Sequence, residues 1–317
     1  MRRGAGIVAL TGASGFVGRA LLQALLAAGY RVCALEHRTK LPSHPSLTVV
    51  SGTLDDPATA AALVAGADTV IHAGGLVMAP RAADFFRVNA TATGQLADAA
   101  QQAGVARFLF ISSLAARAPH LSPYAASKYA AEQLLAQRSG LAWDILRPPA
   151  IYGPGDANSL PFLAMLARGT VWLPVTPDAR IAMLYVDDLV AAILAWLARD
   201  AAPGRQTYEL ADHDGGYRWR ELITLAEQAL NRPLRLRCMP RGLALAAASC
   251  MQFFAQVFHR PCFLGPGKIR EMAHPDWSVN SAAFTEITGW SAQVMPAQGL
   301  AATLNWYQKQ GRFPHKK

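Results

Sequence analysis

"ALTGASGFVGRALL", residues 9–22, joins a short β-rich apolar run to a segment with helical apolar spacing. Three glycines, Gly12, Gly15 and Gly18, fall where the two meet. Gly12 allows a tight turn, Gly15 lets a diphosphate approach the backbone, and Gly18 lets the helix pack close to the strand. The helix start turns unpaired N–H groups and a partial positive charge toward the same place. A glycine triplet alone is a weak signal. Its position at the opening of a strand–helix–strand unit makes it specific.

The rest of the first half follows the same rhythm. "YRVCALE" (30–36), "LTVVSG" (47–52), "DTVIHAGG" (68–75), "RFLFISS" (107–113) and "AWDILRP" (142–148) read as strands. Between them, residues 16–29, 57–66, "FFRVNATATGQLADAAQQAG" (85–104) and "SPYAASKYAAEQLL" (122–135) read as helices. Strands alternating with helices of this length predict an α/β fold with a doubly wound parallel sheet. After about residue 150 Pro and Gly become frequent, as in "RPPAIYGPGD". The expected division is a dinucleotide-binding domain over residues 1–150 and a smaller C-terminal substrate lobe over 151–317. Residues 185–200 are expected to return to the first domain.

The chain has 317 residues, 16% charged and 52% apolar, which excludes a disordered chain. Its net charge of +9 is scattered, which reads as a basic surface and not as nucleic-acid binding. A basic face favours anionic substrates or membrane surfaces. Cys33, Cys238, Cys250 and Cys262 form no C-x-x-C pair, and the eight histidines show no metal-ligand spacing. Reduced thiols and no metal are expected. "MRRGAGIVALTG" imitates a signal peptide, but the run "IVAL" is too short for one, so a cytoplasmic location is expected. "LALAAASCMQFFAQVF" (243–258) is uncharged between Arg241 and Arg260. It falls short of the roughly 20 residues a membrane span needs. A buried or interfacial helix is expected, with peripheral membrane contact as the alternative to a span.

Tyr124 and Lys128 stand one helical turn apart near the start of the 122–135 helix, behind Ser122 and Pro123 as N-cap and first-turn proline. An unperturbed tyrosine titrates near 10. A neighbouring cation favours the phenolate and turns Tyr124 into an acid or base within reach of neutral pH. At the end of the second strand, Glu36 lies where a carboxylate holds the ribose hydroxyls of NAD. His37, Arg38 and Lys40 follow it, and an arginine there accommodates the 2′-phosphate of NADP. The balance favours NAD.

With these motifs in order, the chain resembles the extended branch of the short-chain dehydrogenase/reductase superfamily. That branch holds the NAD-dependent epimerase/dehydratase family and 3β-hydroxysteroid dehydrogenase-like enzymes. "TGASGFVG" matches its glycine loop, "VIHAGG" its fourth-strand motif and "VNATATGQLADAA" its Asn-containing helix. "RPPAIYGPGD", "MLYVDDLVAAI" and "ITGWSAQVMPAQGLAATLNWY" match its later landmarks. The resemblance implies a Rossmann sheet with a bound NAD(P). It implies Ser113, Tyr124, Lys128 and Asn89 as catalytic residues. It places the cofactor against Gly12, Ser14, Gly15, Phe16, Val17, Gly18, Glu36, Arg38, Leu54, Lys128 and Ile151. Two places depart from the pattern. "SGTLDD" puts Thr53 where the branch usually has an aspartate, and "SSLAARAP" lacks the usual Tyr-Gly.

"LVMAPRAADFFRVN" (76–89) is apolar where many sugar-nucleotide enzymes carry polar groups. Met251, Phe253, Phe254, Phe258 and Phe263 add to the apolar character. These point to a hydrophobic alcohol or ketone as the small-molecule substrate. Arg147, Arg180 and Arg218 are candidates to grip a diphosphate instead, with Arg147 the more structural of the three. Two other classes therefore stay open: a nucleotide-sugar epimerase or dehydratase, and a non-catalytic dinucleotide-binding subunit. A homodimer is the assembly considered.

Overall fold

A computed structural model describes residues 6–258, 262 and 264–312. The "MRRGA" start, Arg260, Phe263 and the basic tail "HKK" lie outside the described residues. The chain divides into two compact units, residues 1–147 with 193–208, and residues 148–192 with 209–317.

The first unit is built on β1 (Ile7–Thr11), β2 (Arg31–Glu36), β3 (Leu47–Ser51), β4 (Thr69–His72), β5 (Arg107–Ile111) and β6 (Trp143–Arg147). Among the described residues seven strands form one sheet, in the order β11, β6, β5, β4, β1, β2, β3, with β11 at Thr207–Glu209. Each neighbouring pair from β3 to β6 is parallel. Strand order therefore reverses between β1 and β4, and a doubly wound sheet binds its ligand at such a switch point. The fold class is α/β with a doubly wound parallel sheet.

Local sequence explains the helices. In α1 (Phe16–Ala27), Leu21, Leu22 and Leu25 share the buried face, each worth about 1.5–3 kcal/mol of apolar burial. Helix α2 (Pro57–Val64) starts on Asp56, whose carboxylate accepts from the Ala58 and Thr59 N–H groups. Helix α5 (Pro123–Ala136) starts on Ser122, whose hydroxyl accepts from the Ala125 N–H at 2.9 Å, with Pro123 in the first turn as expected.

The helix expected over 85–104 is present as a continuous helical run of three stretches. These are α3 (Ala82–Phe85), a π-helical turn (Phe86–Thr91) and α4 (Ala92–Gln102). Thr93 Oγ1 donates to the Asn89 carbonyl at 2.6 Å, and this side-chain bond competes with the regular backbone ladder. Such turns widen a helix by one residue and recur at functional positions. This one carries Asn89.

The second unit holds three small sheets. Strand β7 (Ala150–Tyr152) pairs in parallel with β10 (Met183–Tyr185). β8 (Thr170–Leu173) pairs in parallel with β13 (Arg235–Cys238), and β9 (Arg180–Ile181) runs antiparallel to β12 (Tyr217–Arg218). Helices α6 (Leu160–Arg168), α8 (Trp219–Leu230) and α12 (Pro296–Lys309) contribute Leu163, Leu222 and Leu304 to its core. The "YVDD" motif opens α7 (Val186–Leu197). Its Asp188 carboxylate accepts from the Gln293 and Val294 N–H groups, both at 2.9 Å. Helices α9 (Arg241–Val257), α10 (Pro266–Met272) and α11 (Ala282–Thr288) complete the unit.

Asp212 in this unit has a measurable consequence. Burial pushes its carboxyl from an ordinary 3.8 up to about 7. The folded state therefore holds the proton more tightly than the unfolded chain. Its contribution to stability is whole below about pH 4 and is lost as pH rises toward 7. Asp212→Asn removes that loss. Urea unfolding should show the variant gaining on the wild type by up to about 1.4 kcal/mol per pH unit across this window. A stability gap that stays constant with pH would contradict it.

Candidate active site

The loop after β1 is shaped by what its glycines exclude. Gly12 has φ +73°, and a Cβ there would lie 2.6 Å from the Ala73 carbonyl oxygen after β4. A Cβ on Gly18 would lie 1.9 Å from the Gly12 carbonyl oxygen. Gly15 N–H donates to Gly12 O at 2.9 Å and closes the turn. Gly15 is the N-cap of α1, and no side chain caps this helix. The first turn of α1, with Phe16, Val17 and Gly18 behind Ser14, thus offers backbone to an anion at the switch point.

Glu36 ends β2 and is buried. One carboxylate oxygen accepts from Lys40 at 2.8 Å and from the Ser51 hydroxyl at 3.3 Å. The other accepts from the Leu41 N–H at 2.8 Å. The Lys40 bond, then that of Leu41, holds its pKa below the usual carboxylate range. A fixed anion therefore stands at the strand end. His37 and Arg38 follow it on the exposed surface. Leu54 packs at the edge of the first unit's core. Asp55 is taken by an ion pair with Arg87 (2.5 Å) and Asp56 by the α2 cap, so both carboxylates beside Thr53 are already engaged. Ile151 lies in β7 of the second unit.

The first unit's loop and strand ends fit a dinucleotide. The loop leaves no room for side chains where the backbone must come close, the helix start lacks a cap, and a carboxylate ends the second strand.

Tyr124 stands in the first turn of α5, partly buried, with its ring edge against Phe85 at 6.1 Å between centroids. One turn on, Lys128 is buried at 5% exposure. Its Nζ donates to the Ile111 carbonyl at the end of β5 (3.0 Å) and lies 4.8 Å from the centre of the Phe110 ring. Burial pulls the ammonium down to about 8, opposed by the Glu132 charge one turn further along. Lys128 thus keeps its charge at neutral pH. Ser113 follows β5 and caps a short 3-10 turn, its hydroxyl oxygen accepting from the Ala115 N–H at 3.2 Å. Its neighbour Ser112 is turned inward and donates to Glu132 at 2.5 Å.

Asn89 is fully buried and its amide is committed. Nδ2 donates to the Leu76 carbonyl and the Ser127 hydroxyl, both at 2.9 Å, and Oδ1 accepts from the Leu76 N–H at 2.7 Å. Ser127 in turn donates to the Tyr124 carbonyl at 2.7 Å. Asn89 therefore ties the loop after β4 to the helix that carries Tyr124. That loop brings Gly75 between Asn89 and Lys128, where a Cβ would lie 3.1 Å from Asn89 Oδ1 and 3.3 Å from Lys128 Nζ.

Sequence reading left His72 without a role. It is buried at 1% exposure between two hydroxyls, with Thr11 2.6 Å from Nδ1 and Thr93 2.8 Å from Nε2. Thr93 spends its hydrogen on the Asn89 carbonyl, so it accepts from Nε2–H. Thr11 accepts from the Gly74 N–H and donates to Nδ1. Burial, helped by the Lys128 charge, holds His72 down to about 3, so the ring is neutral. The resulting chain fixes the tautomer and joins β1, β4 and the Asn89 turn. No sequence signal beyond "VIHAGG" itself marks it.

The three arginines weighed as diphosphate grips are all engaged. Arg147 makes a two-pronged pair with buried Glu132, at 2.9 and 2.5 Å. Arg180 donates to the Gly215 carbonyl at 2.8 Å, and Arg218 pairs with Asp178 at 3.4 Å.

Comparison with known proteins agrees with the glycine loop and the strand order. The profile of the NAD dependent epimerase/dehydratase family matches residues 8–211. A ceramide reductase of Caulobacter vibrioides is 37% identical over 98% of this chain and 96% of its own length. A 2-alkyl-3-oxoalkanoate reductase of Stenotrophomonas maltophilia is 33% identical over 62% of this chain and 66% of its own. Among solved structures, MoeE5 in complex with UDP-glucuronic acid and NAD superposes with a TM-score of 0.74. It covers 96% of this chain and 99% of that one at 22% identity, a likeness of fold.

Proposed function

Because the chain belongs to the NAD-dependent epimerase/dehydratase family, in the extended branch of the short-chain dehydrogenases/reductases, we propose that it reduces a ketone, or oxidises the matching alcohol, on a hydrophobic small molecule. Its relatives are NAD-dependent dehydrogenases, reductases and epimerases, so it is an enzyme of that class. The observation that carries the reading is the buried Lys128 ammonium, pinned to the end of β5 one turn from Tyr124.

When bound, the nicotinamide supplies or accepts the hydride. The residues of the chain handle the oxygen. In the reducing direction Tyr124 gives its hydroxyl proton to the ketone oxygen as the carbonyl carbon gains the hydride, and an alcohol results. In the oxidising direction the same group takes that proton back. Ser113 donates a hydrogen bond to the reacting oxygen. Lys128 favours the phenolate form of Tyr124 by its charge. Asn89 spends its amide on Leu76 and Ser127 and acts as a positioning residue, holding the loop after β4 and the start of α5 together. Gly12, Ser14, Gly15, Phe16, Val17 and Gly18 hold the diphosphate, Glu36 and Arg38 flank the adenosine ribose, and Leu54 lines the nucleotide.

The substrate class rests on two supports. Two of the relatives are named as reductases of a ceramide and of a 2-alkyl-3-oxoalkanoate, a lipid and an alkyl-substituted keto acid. Arg147, Arg180 and Arg218 are bound to protein groups, which weighs against a diphosphate grip. A keto group on a long-chain lipid is the class they favour. Thermal-shift measurements over a panel of alkyl ketones and nucleotide sugars test it. Stabilisation should grow with alkyl length, at roughly 25 cal/mol per Å² of apolar surface buried. Stabilisation by nucleotide sugars alone would promote the epimerase.

Glu36 sets the expected cofactor preference, since a fixed anion at the end of β2 repels a 2′-phosphate. Titration should show tighter binding of NAD than of NADP. Glu36→Ala should narrow the gap by roughly tenfold, about 1.4 kcal/mol. A strong NADP preference that collapses in Arg38→Ala would show that the basic side governs instead.

A further inference from the structure

Helix α9 is turned inside out for a globular protein. Its packed side is made of Ala244 and Ala248, which form a small cluster with Ile269 of α10. Its opposite side carries Leu243, Met251, Phe253, Phe254, Val257 and Phe258, each between 49% and 68% exposed. At 100° per residue these six span an arc of roughly 160°, and no charged residue falls inside it. An apolar surface of this extent marks an interaction site.

Charge decides what covers it. From Gln228 to Arg270 the chain contains no acidic residue and seven basic ones: Arg232, Arg235, Arg237, Arg241, Arg260, Lys268 and Arg270. Arg235, Arg237 and Arg241 are exposed on β13 and at the start of α9. A second copy docked on the same face would bring two such basic segments together, because a two-fold contact is self-complementary. An anionic bilayer surface meets both requirements: headgroups for the arginines and acyl chains for the phenylalanines. No helix among the described residues is long and apolar enough to cross a membrane.

We propose that the outer face of α9 lies on the surface of an anionic phospholipid bilayer, with the exposed arginines of the same basic segment supplying the attraction to its headgroups. The helix rests in the interface plane with Phe253, Phe254 and Phe258 among the acyl chains. Docking requires neither cofactor nor turnover, so its failure leaves the Tyr124 site untouched.

Flotation of the full chain with phosphatidylcholine vesicles, with and without phosphatidylglycerol, tests this. The chain should float with the anionic vesicles, weakly with the neutral ones, and less as salt is raised. Phe253→Glu with Phe254→Glu should lower the bound fraction at least about tenfold while the thermal melt stays in place, since both side chains are exposed. Arg235→Glu with Arg237→Glu should abolish the preference for phosphatidylglycerol, and it keeps the test decisive if the phenylalanine variant unfolds. No flotation of the wild type, or equal flotation of the phenylalanine variant, would overturn the proposal. So would a lipid-free dimer, by sedimentation, that the phenylalanine variant dissociates, because the face would then belong to a second copy.

Discussion

Tyr124→Phe should keep the fold and dinucleotide binding and lower turnover by about two orders of magnitude or more, the usual loss for a general acid or base. The substitution removes one hydroxyl. The ring remains against Phe85, and the Ser122 cap that starts α5 does not involve the side chain. Lys128 keeps its bond to Ile111 and its place over Phe110. Stopped-flow or steady-state assays on any confirmed substrate, with cofactor titration alongside, separate chemistry from binding. Wild-type turnover in the variant would remove Tyr124 from the mechanism.

Gly18→Ala should be severely damaging, because among the described glycines it has the shortest added-Cβ contact. The added Cβ would stand 1.9 Å from the Gly12 oxygen and 2.6 Å from its carbonyl carbon. Both are backbone atoms and cannot rotate aside. Relief requires that α1 move away from the loop, which also opens the packing of Leu21, Leu22 and Leu25. The expected cost is about 4 kcal/mol or more, with loss of cofactor binding. Gly29→Ala is the comparator. It too has a positive φ, +85°, but nothing lies within 4 Å of its Cβ position. Strain without collision should cost only about 1–2 kcal/mol. Equal losses in the two variants, by urea unfolding, would refute the steric account.

Much of the first unit was legible because its signals are local. The glycine spacing of residues 12–18, the alternation of strands and helices, and the Ser122–Pro123 helix start each depend on neighbours in sequence. The π-helical turn inside the 85–104 helix was not legible. It depends on Thr93 meeting the Asn89 carbonyl and on Leu76 capturing the Asn89 amide. The His72 chain joins residues 61 and 21 positions apart, so composition and periodicity say nothing of it. Helix α9 shows the same limit in another form. Its apolar residues are plain in the sequence, but only packing decides that the alanines face inward and the phenylalanines outward. The arginines are alike: the sequence offers three cations, and the structure spends each on a protein acceptor.

One measurement bears most directly on the proposed reaction. The purified chain is mixed with reduced nicotinamide cofactor and a long-chain β-keto lipid, and the absorbance of the reduced cofactor is followed against product formed. Absorbance should fall by one cofactor oxidised per alcohol produced, and Tyr124→Phe should nearly abolish the change. Turnover of a nucleotide sugar with no net change in cofactor absorbance, and none of the keto lipid, would contradict it.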